Sequence, residues 1–348
     1  MKTRSWRNWG RDRSSGGMPF FVRSSHWWCY KVPPPVMMFC LLTPDWIPSS
    51  TLARSLVLLV AAVALVCNFG YAINEIFDVE EDQRAQRANE TNNTGPRRLT
   101  RIALLSAVGA LGVSHLAAGA HAVFLTLGAL LLPVLYSAPP IRLKERKLLG
   151  VSADAAAAHA YPAALCLLLL LQVDSRPGDT IVWAVLVWSF ALGVRGILTH
   201  QLLDEDKDRS AGLRTIVHDL GRSKVIVTIL RVVLPLELLA LTVTVVLSRP
   251  TPVFVAVLFG YSVYELVKLL LGWKIRLFER CERPYLPFLN GGFYEVWGPL
   301  GAALPAGLSG ERLLLPLVLV LIFYPRTVIE ARMVLSLARD LKRRVRET

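Results

Sequence analysis

The chain has 348 residues, 53% of them hydrophobic, with a mean hydropathy of +0.45 and a formal net charge of +13. So much apolar surface exceeds what one or two soluble cores of this length bury, and lipid is the expected solvent. The positive balance does not point to nucleic acid, because Lys and Arg are spread over short loops and both termini. The five cysteines (Cys29, Cys40, Cys67, Cys166, Cys281) are odd in number and lack CxxC spacing, which argues against a disulfide framework or a zinc site.

Residues 1–26 read as a basic cytoplasmic N-terminal tail, since no compact apolar run with a small-residue cleavage site follows the first arginines. A transmembrane domain is expected over 27–335, followed by a basic C-terminal tail, 336–348. Within it, apolar runs between charged breaks predict spans near 27–43, 51–77, 101–118, 121–137, 151–173, 180–200, 223–247, 251–272 and 312–335, with a weaker run near 293–309. The fold expected is an all-α, polytopic bundle of about nine membrane helices, or ten.

Basic residues follow every even-numbered span: Arg84 to Arg101, Arg142 to Lys147, Lys207 to Lys224 and Lys274 to Arg283. The opposite connections, around Gly119–Ala120, Asp174–Asp179 and Ser248–Pro252, are short and poor in positive charge. The N-terminus and the basic loops are therefore expected in the cytoplasm. Arg339 to Arg346 ask for the same side, which requires an even number of spans and favours a crossing or re-entry by 293–309. The sequons at Asn89 and Asn92 fall in a loop expected on the cytoplasmic side and are not expected to carry glycans.

Three constellations carry chemistry. At the exit of the second span, Asn74, Asp78 and Asp82 are spaced i, i+4, i+8, so they stack on one helical face about 6 Å apart. At the exit of the sixth, Asp204 and Asp208 repeat the i, i+4 spacing. Such oxygens suit Mg2+, which takes one or two protein carboxylates and completes its shell with phosphates and water. Carboxylates alone repel a diphosphate, so two clusters on one side imply bridging metal ions. Either cluster alone reads equally well as solvated interface charge; the repetition argues for a site. After the fourth span, Tyr136-Ser137-Ala138-Pro139-Pro140 stiffens a turn that holds Arg142 and Lys144 near the surface as ligands for diphosphate oxygens, while Arg97 offers a further cation after the first cluster.

In order and spacing, Asn74–Asp82, Tyr136–Arg146 and Asp204–Gly212 resemble the three motifs of the UbiA-type intramembrane prenyltransferase superfamily, with Glu75 in place of the more usual Asp. The resemblance implies that Asn74, Asp78, Asp82, Asp204 and Asp208 hold two Mg2+ ions on an isoprenyl diphosphate. It also implies that Arg142 and Lys144, with Tyr136 and Arg97 nearby, bind that diphosphate, and that the prenyl tail runs between helices toward lipid. The implied activity is Mg2+-dependent prenyl transfer to an acceptor within the membrane, with a terpene cyclase as the alternative on the same site. A cation-coupled transporter is disfavoured, because the acids lie at span exits and no repeat of broken helices is visible. Polar residues within spans (Asn68, Asp154, His159, Arg195, Glu265) are candidates for an acceptor pocket or for interhelical pairing, Arg195 with Glu265 among them.

Overall fold

The computed structural model describes residues 28, 30–44, 46–85, 88–173, 175–273, 292–307, 319–320 and 324–347. The N-terminal tail 1–26, the basic loop from Lys274 to Arg283, and Cys29 and Cys281 lie outside the described residues. All regular structure among the described residues is helical. In chain order the helices are α1 (Pro33–Leu42), α2 (Ser49–Phe77), α3 (Val79–Arg84), α4 (Glu90–Thr94), α5 (Pro96–Ser137), α6 (Lys147–Gln172), α7 (Asp179–Ser210), α8 (Ile216–Leu220), α9 (Arg222–Leu247), α10 (Pro252–Leu270), α11 (Gly298–Gly307) and α12 (Tyr324–Glu347).

Six of these, α2, α5, α6, α7, α9 and α10, are long and apolar enough to cross a membrane. The 42-residue α5 is not one straight rod. Ala118 and Gly119 leave helical geometry, and Gly119 takes φ 63°, ψ −148°, a conformation a side chain would oppose. Ser114 and Thr126 share a hydrogen bond of 2.7 Å between their hydroxyls. Twelve residues of straight helix would separate them by about 18 Å, so α5 reverses at Gly119. This is where the sequence placed the connection between its third and fourth spans.

The first expected span, 27–43, contains only the 10-residue α1 among its described residues. At helical rise that is about 15 Å, half the thickness of a hydrocarbon core. Its Pro33–Phe39 stretch is buried against the rest of the bundle. The weak run 293–309 forms a π turn, Phe293–Trp297, continuing into α11. Most of 308–323, on which the final span depends, lies outside the described residues. From Tyr324 the chain is one helix, so the basic segment from 336 is helical through Glu347.

A single large apolar cluster joins α1, α2, α5, α6, α7, α10 and α11, with Trp188, Phe39, Phe254 and Leu59 fully enclosed. Large apolar side chains on the outer faces, among them Leu105, Phe124, Trp183 and Phe259, are exposed, as expected for a surface in contact with lipid. A smaller cluster of Ile197, Leu198, Leu202, Ile216, Val217, Val225 and Ile229 folds α8 back against the end of α7. Two glycines permit close approaches that set the site. A Cβ at Gly193 of α7 would lie 2.8 Å from the Ala155 Cα of α6, and one at Gly150 would strike the backbone of Leu143 and Lys144. Packing of α7 on α6 and of the Arg142–Glu145 turn on α6 both depend on these absent side chains.

Candidate active site

The first acidic cluster forms where α2 stops. Asp78 breaks the helix (φ −100°, ψ 8°), and α3 restarts at once with Glu80, Glu81 and Asp82 in its first turn, where the N-terminal backbone dipoles favour negative charge. Glu75 does not join the stack. Its side chain accepts the backbone N–H of Glu90, and its carbonyl accepts the hydroxyl of Thr91 (2.7 Å), which fastens α4 under the end of α2. Asn89 is nearly enclosed. It caps α4 by accepting from the Thr91 N–H (2.9 Å) and donates to Asp82 Oδ2 (2.7 Å), so this sequon asparagine is committed to internal bonds.

The Pro139-Pro140 turn delivers its cations onto this cluster. Lys144 Nζ donates to Asp78 Oδ1 (2.6 Å) and to Glu81 Oε2 (2.5 Å). Arg142, held at a positive φ of 46°, is in ion-pair contact with Glu81 and with Glu145 (2.7 Å), although its N–H groups are not aligned for hydrogen bonds there. Burial pushes the Lys144 ammonium below the ordinary lysine range, and the Asp78 carboxylate opposes that shift. Glu81 therefore bridges both cations. Sequence reasoning counted it only as added charge; its place at i+3 from Asp78, on the face shared with Asp78 and Asp82, was the available signal. Asn74 accepts the Ser137 hydroxyl, which ties the end of α2 to the end of α5.

The second cluster lies on the last turns of α7, where Asp204 and Asp208 are both largely buried. His200 Nε2 stands 3.8 Å from Asp204. Glu205 faces outward and pairs with Arg209 and Arg222 (3.4 Å each). Two observations bring the clusters together. Arg84 Nη1, at the end of α3, donates to the Ala211 carbonyl just after α7 (3.4 Å). The Tyr136 phenol lies within electrostatic reach of Asp78, Asp208 and a third carboxylate, Asp154 on α6. Arg97 is exposed at the start of α5, and among the described residues no hydrogen bond or ion pair ties it to the site.

Beside these groups a cavity of about 50 Å³ opens between α2, α5 and α6, lined by Asn74 and Tyr136 at its acidic end and by apolar residues such as Val66, Leu132 and Ala157 along its walls. Lys31 and Asp154 also line it. Arg195 and Glu265, candidates for a polar pocket, are spent on structure instead, and not on each other. Arg195 makes a two-pronged pair with Glu237 of α9 (2.6 and 3.0 Å), and Tyr294 donates to the same carboxylate (3.0 Å). Glu265 pairs with Lys268 (2.7 Å).

Asp78, Glu81, Asp82, Asp204 and Asp208 outnumber Arg142 and Lys144, so an incoming diphosphate needs further positive charge. Among the described residues no three His, Cys, Asp or Glu side chains converge into a metal cage. This donor set, of oxygen ligands offered in ones and twos from separate helix ends, fits Mg2+ shared with a phosphate ligand better than an ion held by protein alone.

A family model described as the UbiA prenyltransferase family matches residues 32–290. Two solved structures of a UbiA homolog from Archaeoglobus fulgidus share the fold. The one bound to GPP and Mg2+ is 17% identical, with a TM-score of 0.52 over 93% of this chain and 97% of that one. The one bound to DMAPP and Mg2+ is 15% identical, with a TM-score of 0.52 over 89% and 98%. No curated protein sequence matches the chain.

Proposed function

The chain belongs to the UbiA prenyltransferase family, and on that premise we propose that it transfers the prenyl group of an allylic isoprenoid diphosphate to an acceptor within the membrane, releasing diphosphate. The reading is carried by the meeting of both acidic helix ends and the Arg142–Lys144 turn around Tyr136, at the mouth of an apolar cavity. It is supported by the GPP and DMAPP bound, with Mg2+, to the Archaeoglobus fulgidus homolog. These groups face the cytoplasm, in keeping with the basic loops around them.

In this reading Asp78, Asp82, Asp204 and Asp208, with Asn74, are the residues that would hold Mg2+. The metal supplies charge that makes diphosphate a better leaving group. Lys144 and Arg142 turn from Asp78 and Glu81 toward the diphosphate oxygens as substrate enters, and Glu81 keeps both cations at the site until then. That turn would leave the Asp78 carboxylate available as one of the residues that would hold Mg2+. Tyr136 closes the boundary between the charged end and the apolar cavity, where the prenyl chain lies out of water and the allylic cation is protected from hydrolysis.

The test is diphosphate release by purified full-length protein in lipid nanodiscs, supplied with allylic diphosphates of several lengths, with Mg2+ or with EDTA. Products are followed by mass spectrometry as candidate acceptors are added. Mg2+-dependent release that gives an acceptor-plus-prenyl mass is expected. Release without acceptor, giving a hydrocarbon isomer, would assign a cyclase, and no release at any chain length would overturn the reading.

A further inference from the structure

The last helix, α12, contributes no residue to the site described above, and its side chains sort into three strips, since successive residues of a helix turn by about 100°. One strip, Glu330, Leu337, Asp340 and Arg344, docks on the bundle. Glu330 accepts from the Trp297 indole N–H (3.0 Å), Asp340 accepts from the Trp273 indole N–H (3.2 Å), and Arg344 donates to the Leu270 carbonyl at the end of α10 (3.2 Å). A second strip, Val334, Ala338, Leu341 and Val345 with Leu335 at its border, is apolar and faces outward; Leu335 is 62% and Val345 74% exposed. The third, Arg339, Lys342, Arg343 and Arg346, is basic and exposed along its length. Asp340 stands 3.7 Å from Arg343, whose side chain stays 70% exposed.

An apolar strip beside a basic one suits neither pure solvent. Water leaves Leu335, Leu341 and Val345 uncovered, and a hydrocarbon core strips the cations of their hydration. The boundary between the two satisfies both, because apolar side chains enter the outer acyl layer while the cations meet headgroup phosphates. The place of α12 agrees. Its docked strip is bonded at Leu270 and Trp273, where the membrane-length helix α10 ends, and Leu266, Leu269 and Leu270 are exposed there, so the apolar outer surface of the bundle runs up to α12. Tryptophan favours that level of a bilayer. Two segments outside the described residues, 1–26 and 274–291, are themselves rich in Lys and Arg and do not complement the basic strip. An acidic protein would complement it, but would have to displace headgroups that already stand at that place.

We propose that α12 is an interfacial helix that binds a surface of anionic phospholipid. Val334, Leu341 and Val345 sit in the outer acyl layer, and Arg339, Lys342, Arg343 and Arg346 lie on headgroup phosphates. The two strips contribute in different ways. Attraction of the cations to the headgroups depends on lipid charge and is screened by salt, whereas seating of the apolar strip depends on neither. The three bonds of the docked strip hold α12 in the one rotation that presents both outer strips together.

The experiment places full-length protein in two kinds of nanodisc, one of phosphatidylcholine alone and one with about a quarter phosphatidylglycerol, and reads amide hydrogen exchange over 334–346 by mass spectrometry. Wild type is expected to exchange about fivefold more slowly with phosphatidylglycerol, and to return to the phosphatidylcholine rate in about 0.5 M salt. A variant combining Arg339→Gln, Lys342→Gln, Arg343→Gln and Arg346→Gln is expected to exchange equally in both discs, with exchange in α2 and α7 unchanged as the sign that it has folded. Leu341→Ser with Val345→Ser should speed exchange in both discs. The wild-type comparison stands without any variant, so a variant that fails to fold leaves the test intact. Equal exchange of wild type in both discs would overturn the proposal; if that exchange is slow, the face is covered by protein, a second copy or another chain, instead of lipid. Charge-dependent slowing retained by the fourfold variant would also overturn it. Equal slowing by soluble glycerol 3-phosphate in phosphatidylcholine discs would assign the basic strip to a free phosphate ligand and remove the membrane surface as its partner.

Discussion

Two regions of the molecule bury charge, and they do so on opposite terms. In the half built from α7, α9 and the π turn before α11, Arg195 meets Glu237 tooth for tooth, with Tyr294 on the same carboxylate and Trp188 on Tyr294 (3.4 Å). Among the described residues the Arg195 guanidinium and the Glu237 carboxylate match one another, and both are buried. Around the exits of α2 and α7, acids outnumber cations among the described residues of the three motifs, and a cavity opens beside them. A balanced, buried network suits holding helices together; an unbalanced one beside a cavity suits a ligand that brings the missing charge, as in the proposed function.

Substitutions can break that contrast. The largest effect is expected at the unbalanced site: Asp78→Asn and Asp208→Asn should each lower diphosphate release about a hundredfold or more, with thermal unfolding in detergent little changed. Retained activity in either would remove that residue from the metal-binding set. The balanced site should behave in reverse. Arg195→Met or Glu237→Met alone strands a buried charge, at a cost of about 3–5 kcal/mol, read as a clear fall in Tm. The double variant should recover most of that loss; if it is no more stable than the singles, the pair is not the self-contained unit described.

Glu81→Gln sharpens the comparison, because Glu81 is buried like a structural residue yet holds the cations of the site. Its expected effect is intermediate, about a tenfold rise in KM for the allylic diphosphate, from cations no longer held in place, with kcat within about twofold. A fall in Tm with unchanged KM would move Glu81 to the structural side. Smallest of all is Arg97→Gln. This residue is exposed and unconnected to the cluster, and substitution should alter KM by less than about twofold; a larger change would restore it to the diphosphate site.

Much of this was legible in the sequence, for identifiable reasons. Motif spacing is local, so Asn74, Asp78, Asp82, Asp204 and Asp208 could be put forward directly, but the stack expected on one continuous helix is divided by the break at Asp78 between α2 and α3. The reversal at Gly119 was legible because a short uncharged break between two apolar runs leaves little else for the chain to do. Pairings between distant helices were not. Arg195 was set against Glu265 on hydropathy alone, but its partner depends on how α9 is rotated against α7, a register no single sequence states. Lys31 was missed for the same reason, since nothing local says that the turn before α1 folds over α6. α1 was read long because apolar composition signals burial in protein and burial in lipid alike.

The reversal at Gly119 also shapes the end of the bundle where it lies. Two apolar helical arms meet at Ala118 and Gly119, with no loop between them. With both arms crossing, a protease added on that side is expected to find no loop to cut between 96 and 137.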